Sequence, residues 1–137
     1  MDDQVVRRHL TSLDTALSRL EPHSTLELAA YLASPDLQWF VERGLLICAQ
    51  NVLDLAVHIT ASAGLDSLTY ASSIDGLASM GVLPRDFAAD LRKLGGFRNA
   101  LVHAYLSVDP SKVHGVLSHE LPAMRAFARL VQAYLDR

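Results

Sequence analysis

The chain has 137 residues, half of them hydrophobic but only 7% aromatic, and a formal net charge of -3 at pH 7. This length suits one domain with a real core and is too short for two. The mild acidity argues against a protein that binds nucleic acid through a broad basic face, and leaves room for a local basic patch. Leu, Ala and Val dominate with little strict two-residue alternation, which predicts an all-α fold.

The first residues do not resemble an export signal, because MDDQVVRRHL is charged and lacks a long apolar core. No segment approaches the roughly 20 apolar residues that cross a bilayer. The one cysteine, Cys48, can form neither an internal disulfide nor a cysteine metal site, and we expect it as a small buried hydrophobe. These features predict a cytoplasmic protein without a membrane partner.

Two helices are predicted before residue 34. Apolar residues recur at spacings of three and four over residues 4–20, as on one face of a helix. The proline of Glu21-Pro22 disfavours helix in the residue before it and so ends this helix. Residues 24–33, STLELAAYLA, predict a short second helix. The apolar stripe of the first helix consists of Val6, Leu10, Leu13, Leu17 and Leu20.

A long helix is predicted to begin at Ser34 and to run to about residue 62. Ser34 suits the N-cap, Pro35 the first helical position, and Asp36 the first turn, where an acid favours the helix dipole. Gly64 is suited to end the helix. The predicted buried stripe consists of Leu37, Val41, Leu45, Cys48, Val52, Leu55 and Ile59.

The second half predicts shorter helices separated by glycine and proline. Residues 72–80 form a helix that ends at Gly81, and Pro84 opens another that extends to Tyr105. Gly95-Gly96 lies inside the latter, and two glycines cost a helix interior roughly 2 kcal/mol relative to alanine. This pair therefore marks a bend, a close backbone contact or a helix break.

The last helical region begins at Asp109-Pro110, which repeats the pattern of a cap followed by proline, and runs to about residue 136. Pro122 interrupts it, so we expect a kink or two segments. The chain then predicts an antiparallel bundle of about five to six helices, because short connections favour antiparallel neighbours.

Four polar or titratable residues lie within eight positions at the end of the helix predicted from Pro84 to Tyr105: Arg98, Asn99, His103 and Tyr105. Since each residue turns an α-helix by about 100°, Arg98 and Tyr105 share a face while His103 points about 140° away from Arg98. Joining Arg98 and His103 requires a long Arg arm, a distortion near the glycines, fraying of the helix end or a second copy of the chain. We expect the pair at a helix end, in a cleft that two subunits share.

Imidazole and guanidinium groups together suit phosphodiester cleavage without a metal ion. A His can take a proton from a ribose 2′-hydroxyl or return one to the leaving oxygen, and an Arg can stabilise the charge on the phosphorus centre. One His per chain supplies half of this proton transfer, and a two-fold dimer supplies both halves. The plain structural alternative is that Arg98 and His103 cap a helix end while Tyr105 packs with its hydroxyl in water.

The segment RNALVHAY (98–105) resembles the RxxxxHxY motif of HepT-like toxins in the HEPN superfamily, a family once grouped as a domain of unknown function. Two longer segments also resemble that family: ERGLLICAQNVLDLAVHI (42–59) and FAADLRKLGGFRNALVHAY (87–105). VLPRDFA and the terminal helix follow in the expected order, so the resemblance covers essentially the whole chain.

The resemblance implies an all-α HEPN fold over residues 1–137 as a single domain, a homodimer, and an active-site cleft at the dimer interface. It implies the toxin of a type VII toxin–antitoxin system, which cleaves RNA without a metal or other cofactor through Arg98 and His103, with Asn99 in support. It also implies an MntA-type minimal nucleotidyltransferase antitoxin that silences the toxin by transferring AMP to Tyr105. A phosphodiester there would bring negative charge and bulk to an anion-binding cleft.

A second polar stripe lies on the long helix, where Arg43, Gln50, Asp54 and His58 share a face at spacings of seven, four and four. Asp54 and His58 alone are poor evidence for a metal, since a third ligand is missing. We expect this stripe at the dimer interface or lining the cleft, where Asp54 could orient a neighbouring group. The alternative is a solvated face with an Asp–His contact.

The remaining basic residues are expected at the surface. His114 and His119 are five residues apart, so they diverge on a helix and lack the spacing of four found in zinc pairs. Residues 7–9, Arg-Arg-His, are expected as a solvated basic spot able to touch RNA phosphate.

Two functions other than a nuclease stay open at this point: a non-catalytic HEPN module that binds a nucleotide or the nucleotidyltransferase, and a purely structural helical dimer. The intact Arg98–His103 pair favours the enzyme over the binding module. Toxicity on expression separates them, because a nuclease should stop growth and a binding module should not.

Overall fold

The computed structural model describes all residues 1–137, and the chain is helical throughout, with eight α-helices and one 3-10 turn. The all-α prediction is confirmed. In chain order the elements are α1 (Asp3–Leu20), the 3-10 turn (Glu21–His23), α2 (Leu28–Leu32), α3 (Pro35–Ser62), α4 (Tyr70–Ser79), α5 (Arg85–Leu91), α6 (Leu94–Val102), α7 (Pro110–His119) and α8 (Leu121–Leu135).

The long helix α3 lies at the centre of the bundle and packs against α1, α2, α4, α6, α7 and α8. Its start is as predicted, since the Ser34 hydroxyl accepts a hydrogen bond from the Leu37 amide and Pro35 occupies the first turn. Gly64 follows its end with a φ of +79°, a left-handed conformation that suits glycine. The predicted stripe is buried except for Leu37, which is half-buried.

The apolar character of α3 exceeds what its one predicted stripe implies. The expectation that no segment approaches a bilayer span is wrong for α3, which could cross a membrane by length and composition, with a mean hydropathy of 1.4 over an 18-residue window. In the fold 56% of that window is buried among the neighbouring helices. A helix that contacts partners on several sides is apolar on several sides, so the same composition is typical of a core helix.

The chain breaks into more helices than predicted. The helix expected from Pro84 to Tyr105 stops at Leu91 and restarts at Leu94, and the break lies before Gly95-Gly96 rather than at it. The last helical region also divides, at Glu120 just before Pro122, which confirms the expected interruption. These two divisions account for eight helices where five to six were expected.

The predicted second helix is shortened at its N-terminal end. The Ser24 hydroxyl donates to the Glu21 carbonyl at 2.8 Å, and Glu27 is extended, so only Leu28–Leu32 is α-helical. Side chains of this type compete with helix by bonding nearby backbone groups. The end of α1 at Leu20, just before Glu21, agrees with the prediction.

Contacts on both flanks of α1 fix it in the bundle. Toward α3, a Cβ added at Gly44 would come within 2.7 Å of Leu20 Cδ2, so the two helices approach closely. Toward α8, Arg125 donates to Asp14 and to Glu21, the latter at 2.7 Å. The hydrogen bond that Arg125 donates to Glu21 is the main reason that the pKa of Arg125 is raised.

The single cysteine behaves as a core hydrophobe. Cys48 is fully buried within the cluster of apolar side chains around α3. Burial raises the pKa of its thiol to about 12, so the thiol stays protonated at neutral pH. The prediction of a small buried hydrophobe is confirmed.

We expect Leu45→Ala to lower the free energy of unfolding by about 2–5 kcal/mol, because it opens a cavity at the centre of α3. The matched change Leu68→Ala, at a side chain that is 95% exposed, should cost less than about 0.5 kcal/mol. Urea denaturation at one protein concentration measures both values. Equal effects of the two substitutions would contradict the central role of α3.

Candidate active site

The motif residues lie along α6 and in the turn that follows it. The helix ends at Val102, and His103 is the first residue beyond it, with φ −100° and ψ 20°. The turn closes when the Leu106 amide donates to the His103 carbonyl at 2.9 Å. His103 therefore lies at a helix end, as expected. Tyr105 lies outside the helix, so the inference that it shares a helical face with Arg98 is wrong.

Arg98 is half-buried and is held by uncharged acceptors. Its Nε donates to Gln50 Oε1 at 2.8 Å, and its Nη1 donates to Asn99 Oδ1 at 3.0 Å. The guanidinium carbon lies 5.7 Å from the centroid of the Tyr70 ring, within the range of a cation–π contact. Arg98 forms no ion pair, so its positive charge is not neutralised within the chain.

Gln50 is itself fixed by its neighbours. Its amide nitrogen donates to Asp54 Oδ1 at 2.8 Å, one turn along α3, and to the Tyr70 hydroxyl at 3.4 Å. With the amide group oriented in this way, its oxygen faces Arg98. Gln50 thus links the most buried helix of the fold to the helix that carries the motif.

A close approach between α6 and α4 positions Tyr70. A Cβ added at Gly95 would lie 3.3 Å from the Tyr70 Cβ, which is tighter than an ordinary van der Waals contact. The glycine therefore allows Tyr70 to lie under the Arg98 side chain. Of the three roles considered for the Gly95-Gly96 pair, the structure shows a close contact at Gly95 and open space at Gly96.

His103 and Tyr105 form the exposed part of the site. Their rings are 6.2 Å apart and approach edge to face, and Tyr105 is 79% exposed. Within one chain the side chain of Arg98 bonds to Gln50 and Asn99 and makes no hydrogen bond to His103. Leu106, next to Tyr105, is also largely exposed and gives this edge an apolar rim.

The polar stripe on α3 divides into three environments. Gln50 and Asp54 join the hydrogen bonds around Arg98. His58, one turn farther, is half-buried, and its Nε2 is buried without a hydrogen-bond partner. Arg43 is exposed and lies in a groove between α1 and α3, apart from Arg98. The chain contains no group of three or more His, Cys, Asp or Glu residues placed to hold a metal ion.

Two histidines differ from their predicted surface positions. His114 Nε2 lies 2.6 Å from the Leu26 carbonyl, and its ring is 5.6 Å from that of the buried Tyr31. His9 Nδ1 lies 2.9 Å from Asn51 Oδ1 and links α1 to α3. The sequence did not predict these contacts because the partners of each histidine are distant from it in the chain. His119 is exposed, as expected.

Tyr70 is the site residue that the sequence did not identify. It begins α4 directly after the Thr69 cap, and no motif distinguishes it from an ordinary aromatic residue at a helix start. Its proximity to Arg98 arises only when α4 and α6 pack on the same side of α3. The two tyrosines of the site differ in exposure, since Tyr70 is half-buried and Tyr105 is exposed.

The chain is similar to several known proteins. The tRNA nuclease HepT of Aphanizomenon flos-aquae (strain 2012/KM1/D3) is 26% identical over 133 residues, which are 96% of this chain and 90% of that protein. Two solved structures share the fold. YutE, a cytosolic protein of unknown function from Bacillus subtilis, has a TM-score of 0.85 and 19% identity, covering 99% of this chain and 92% of that one. A tri-AMPylated HEPN toxin of Shewanella oneidensis, in complex with an MNT antitoxin, has a TM-score of 0.83 and 22% identity, covering 97% and 99%.

These likenesses establish a HEPN-type helical fold along nearly the whole chain. The family described as Ribonuclease HepT-like matches residues 13–131, a span that includes α3, α4 and the complete motif on α6. With Arg98 on α6 and His103 and Tyr105 in the turn that follows, the chain belongs to the HepT-like ribonuclease family.

Proposed function

We propose that this chain is the ribonuclease toxin of a type VII toxin–antitoxin pair and cuts RNA in a cleft between two copies of itself. The observation that carries the proposal is the state of Arg98, a half-buried guanidinium that uncharged acceptors hold and that no carboxylate neutralises. The helix that bears it ends at an exposed histidine. The similar HepT of Aphanizomenon flos-aquae is a tRNA nuclease, which supports RNA as the substrate class.

Arg98 serves as the anion-binding group of the reaction. A guanidinium can form two parallel hydrogen bonds to a phosphate, and its charge strengthens both. Its Nε is occupied by Gln50, which leaves donors on the terminal nitrogens directed away from that contact. Since the charge is already in position, it stabilises the extra negative charge that develops on the phosphorus centre without reorganisation.

His103 serves in proton transfer. The ribose 2′-oxygen attacks the adjacent phosphorus, the bond from phosphorus to the 5′-oxygen breaks, and a 2′,3′-cyclic phosphate and a 5′-hydroxyl form. One imidazole takes the proton of the 2′-hydroxyl, and the imidazole of the second copy gives a proton to the leaving oxygen. A two-fold dimer supplies this pair, which one chain lacks. No step needs a metal ion.

Tyr105 serves as the site of silencing. Its exposed phenol oxygen attacks the α-phosphorus of ATP on an MntA-type nucleotidyltransferase, a phosphodiester to AMP forms, and pyrophosphate leaves. The tri-AMPylated Shewanella oneidensis toxin and its MNT antitoxin support such a partner. The modification would add negative charge and bulk beside His103, whose ring is 6.2 Å away in the unmodified chain. We place the protein in the cytoplasm, where its RNA substrate lies, and the cytosolic YutE supports this location.

Arg98→Ala and His103→Ala should each lower the rate of RNA cleavage at least 100-fold, since oxyanion stabilisation and general acid–base catalysis each contribute about that factor or more. The assay uses purified protein in EDTA and detects 2′,3′-cyclic phosphate ends. The matched controls are Arg129→Ala on α8 and His119→Ala on α7, exposed residues of the same types outside the motif. Full cleavage by either site variant would remove that residue from the mechanism. Bound but uncut RNA with the wild type would favour a binding module.

Gln50→Ala should lower the single-turnover cleavage rate about tenfold with the fold intact, because Arg98 loses a hydrogen bond to a charged group, of about 1.5 kcal/mol, that orients it. Gln132→Ala provides the control, since Gln132 makes a similar amide contact with Asp136 on α8, far from the motif. Unchanged cleavage by the Gln50 variant would show that Asn99 and Tyr70 alone position Arg98.

Tyr105→Phe should keep nuclease activity and escape silencing, because it lacks the oxygen that accepts AMP. Intact mass, recorded after incubation with the nucleotidyltransferase partner and ATP, should increase by whole AMP units for the wild type and for the control Tyr134→Phe, and stay constant for Tyr105→Phe. An AMP-sized gain on the Tyr105 variant would assign the modification to another residue.

A further inference from the structure

A groove runs along the outer faces of α1 and α3 and is not part of the site described above. On α1, Arg8, Ser12 and Arg19 line one stripe of the helix. On α3, the groove is lined by Phe40, Arg43 and Ile47. Two adjoining cavities of about 330 and 310 Å³ share Ser12 and together make up the groove.

The arginine side chains give this groove a positive charge that no acidic side chain in its lining offsets. Three arginines line it, and no Asp or Glu does. None of Arg8, Arg19 and Arg43 forms an ion pair. The acids of α1 lie on its other flank, where Arg125 of α8 binds Asp14 and Glu21. A chain with 12 basic and 15 acidic residues thus presents a local basic face.

One wall of the groove continues along α3 toward the candidate active site. Ile47, in the groove wall, lies one turn before Gln50 on the same face of α3, and Gln50 holds Arg98. Asn51, the residue after Gln50, closes the other end through hydrogen bonds with His9 and Ser12 at 2.9 and 2.8 Å. The basic face and the motif arginine are therefore connected by consecutive residues of one helix.

We propose that this groove binds the phosphate backbone of the single-stranded RNA that is cut at Arg98 and His103, with Arg8, Arg19 and Arg43 contacting its phosphates. The inference rests on the proposed ribonuclease function and identifies where the substrate lies outside the cleft. Arg8 and Arg19 are about 16 Å apart along α1, so they reach different phosphates of one strand. Arg side chains suit this role because their planar donors match the oxygens of a phosphate.

An aromatic side chain in the groove and another next to it in sequence match the bases of such a strand. Phe40 lines the groove and is 41% exposed, and Trp39, the preceding residue of α3, is 82% exposed outside the groove lining. Neither is needed to fill the core. Bases of a single strand stack on aromatic rings without regard to sequence. The combination of a basic groove and exposed rings is typical of proteins that bind single-stranded nucleic acid.

A second copy of the chain is a poorer occupant. A two-fold contact centred on this face would bring the three arginines of each copy against a surface that carries three arginines and no carboxylate to pair with them. Like charges facing each other across an interface disfavour association. The cleft between copies therefore lies elsewhere, and the groove remains open to the substrate.

The test measures RNA binding by the full chain carrying His103→Ala, so that the RNA stays intact. The probe is a short fluorescein-labelled oligouridylate, titrated at several salt concentrations. Adding Arg8→Ala, Arg19→Ala and Arg43→Ala should weaken binding at least tenfold and reduce the slope of log K against log salt by about 2, since each phosphate contact in a single strand contributes about 0.7. Quenching of Trp39, the only tryptophan, should accompany binding and disappear in this variant.

The matched control carries Arg7→Ala, Arg85→Ala and Arg129→Ala, which remove the same charge at exposed positions outside the groove. It should bind the oligouridylate with the same affinity and the same salt dependence as the His103→Ala parent. Equal losses in both triple variants, or no loss in either, would overturn the proposal. A changed oligomeric state of the groove variant in sedimentation would also overturn it and assign the groove to a second copy. If the groove variant loses its helical signal, Arg43→Ala alone should reduce the slope by about 0.7.

The same variants with His103 intact separate this proposal from the proposed function. If the variant with all three groove arginines replaced cleaves RNA with an unchanged KM, the proposed RNA-binding role of the groove is overturned and the proposed nuclease activity stands. If RNA binds through the groove but the wild type does not cut it, the proposed nuclease activity is overturned and the RNA-binding role of the groove stands.

Discussion

The candidate site depends on one hydrogen bond between two helices, in which Gln50 on α3 accepts from Arg98 on α6. An amide oxygen fixes a guanidinium without neutralising it, whereas a carboxylate in the same place would use the charge that a phosphate needs. The amide is in turn oriented by Asp54 and Tyr70. Because α3 is the most buried helix of the bundle, this acceptor lies on a rigid support.

Close packing makes this arrangement possible. Gly95 allows α6 to approach Tyr70, whose ring then lies beneath Arg98. The helix ends a few residues later, at Val102, and releases His103 and Tyr105 into an exposed turn. The middle of this short helix thus holds the arginine firmly, and the turn that follows presents the histidine and the tyrosine to solvent. That division suits a site where one group binds an anion and the others meet a second molecule.

The distribution of charge reconciles a mildly acidic chain with the proposed RNA substrate. Net charge describes the field far from a protein, whereas binding responds to the charges that line a surface. Asp14 of α1 and Glu21 of the 3-10 turn bind Arg125, while Arg8 and Arg19 of α1 stay unpaired along the groove. The mild acidity of the whole chain therefore carries little information about this face.

The sequence by itself determined the local features: the helical class, the start of α3 at its Ser34 cap, the division at Pro122, the burial of Cys48 and the helix end near His103. Each follows from spacing, capping or chain stiffness over a few residues. The tertiary structure alone decided which residues meet. Gln50 and Arg98 are 48 positions apart, and their contact depends on how α3 and α6 pack. Helical periodicity assigns a side chain to a face, but only packing assigns that face a partner.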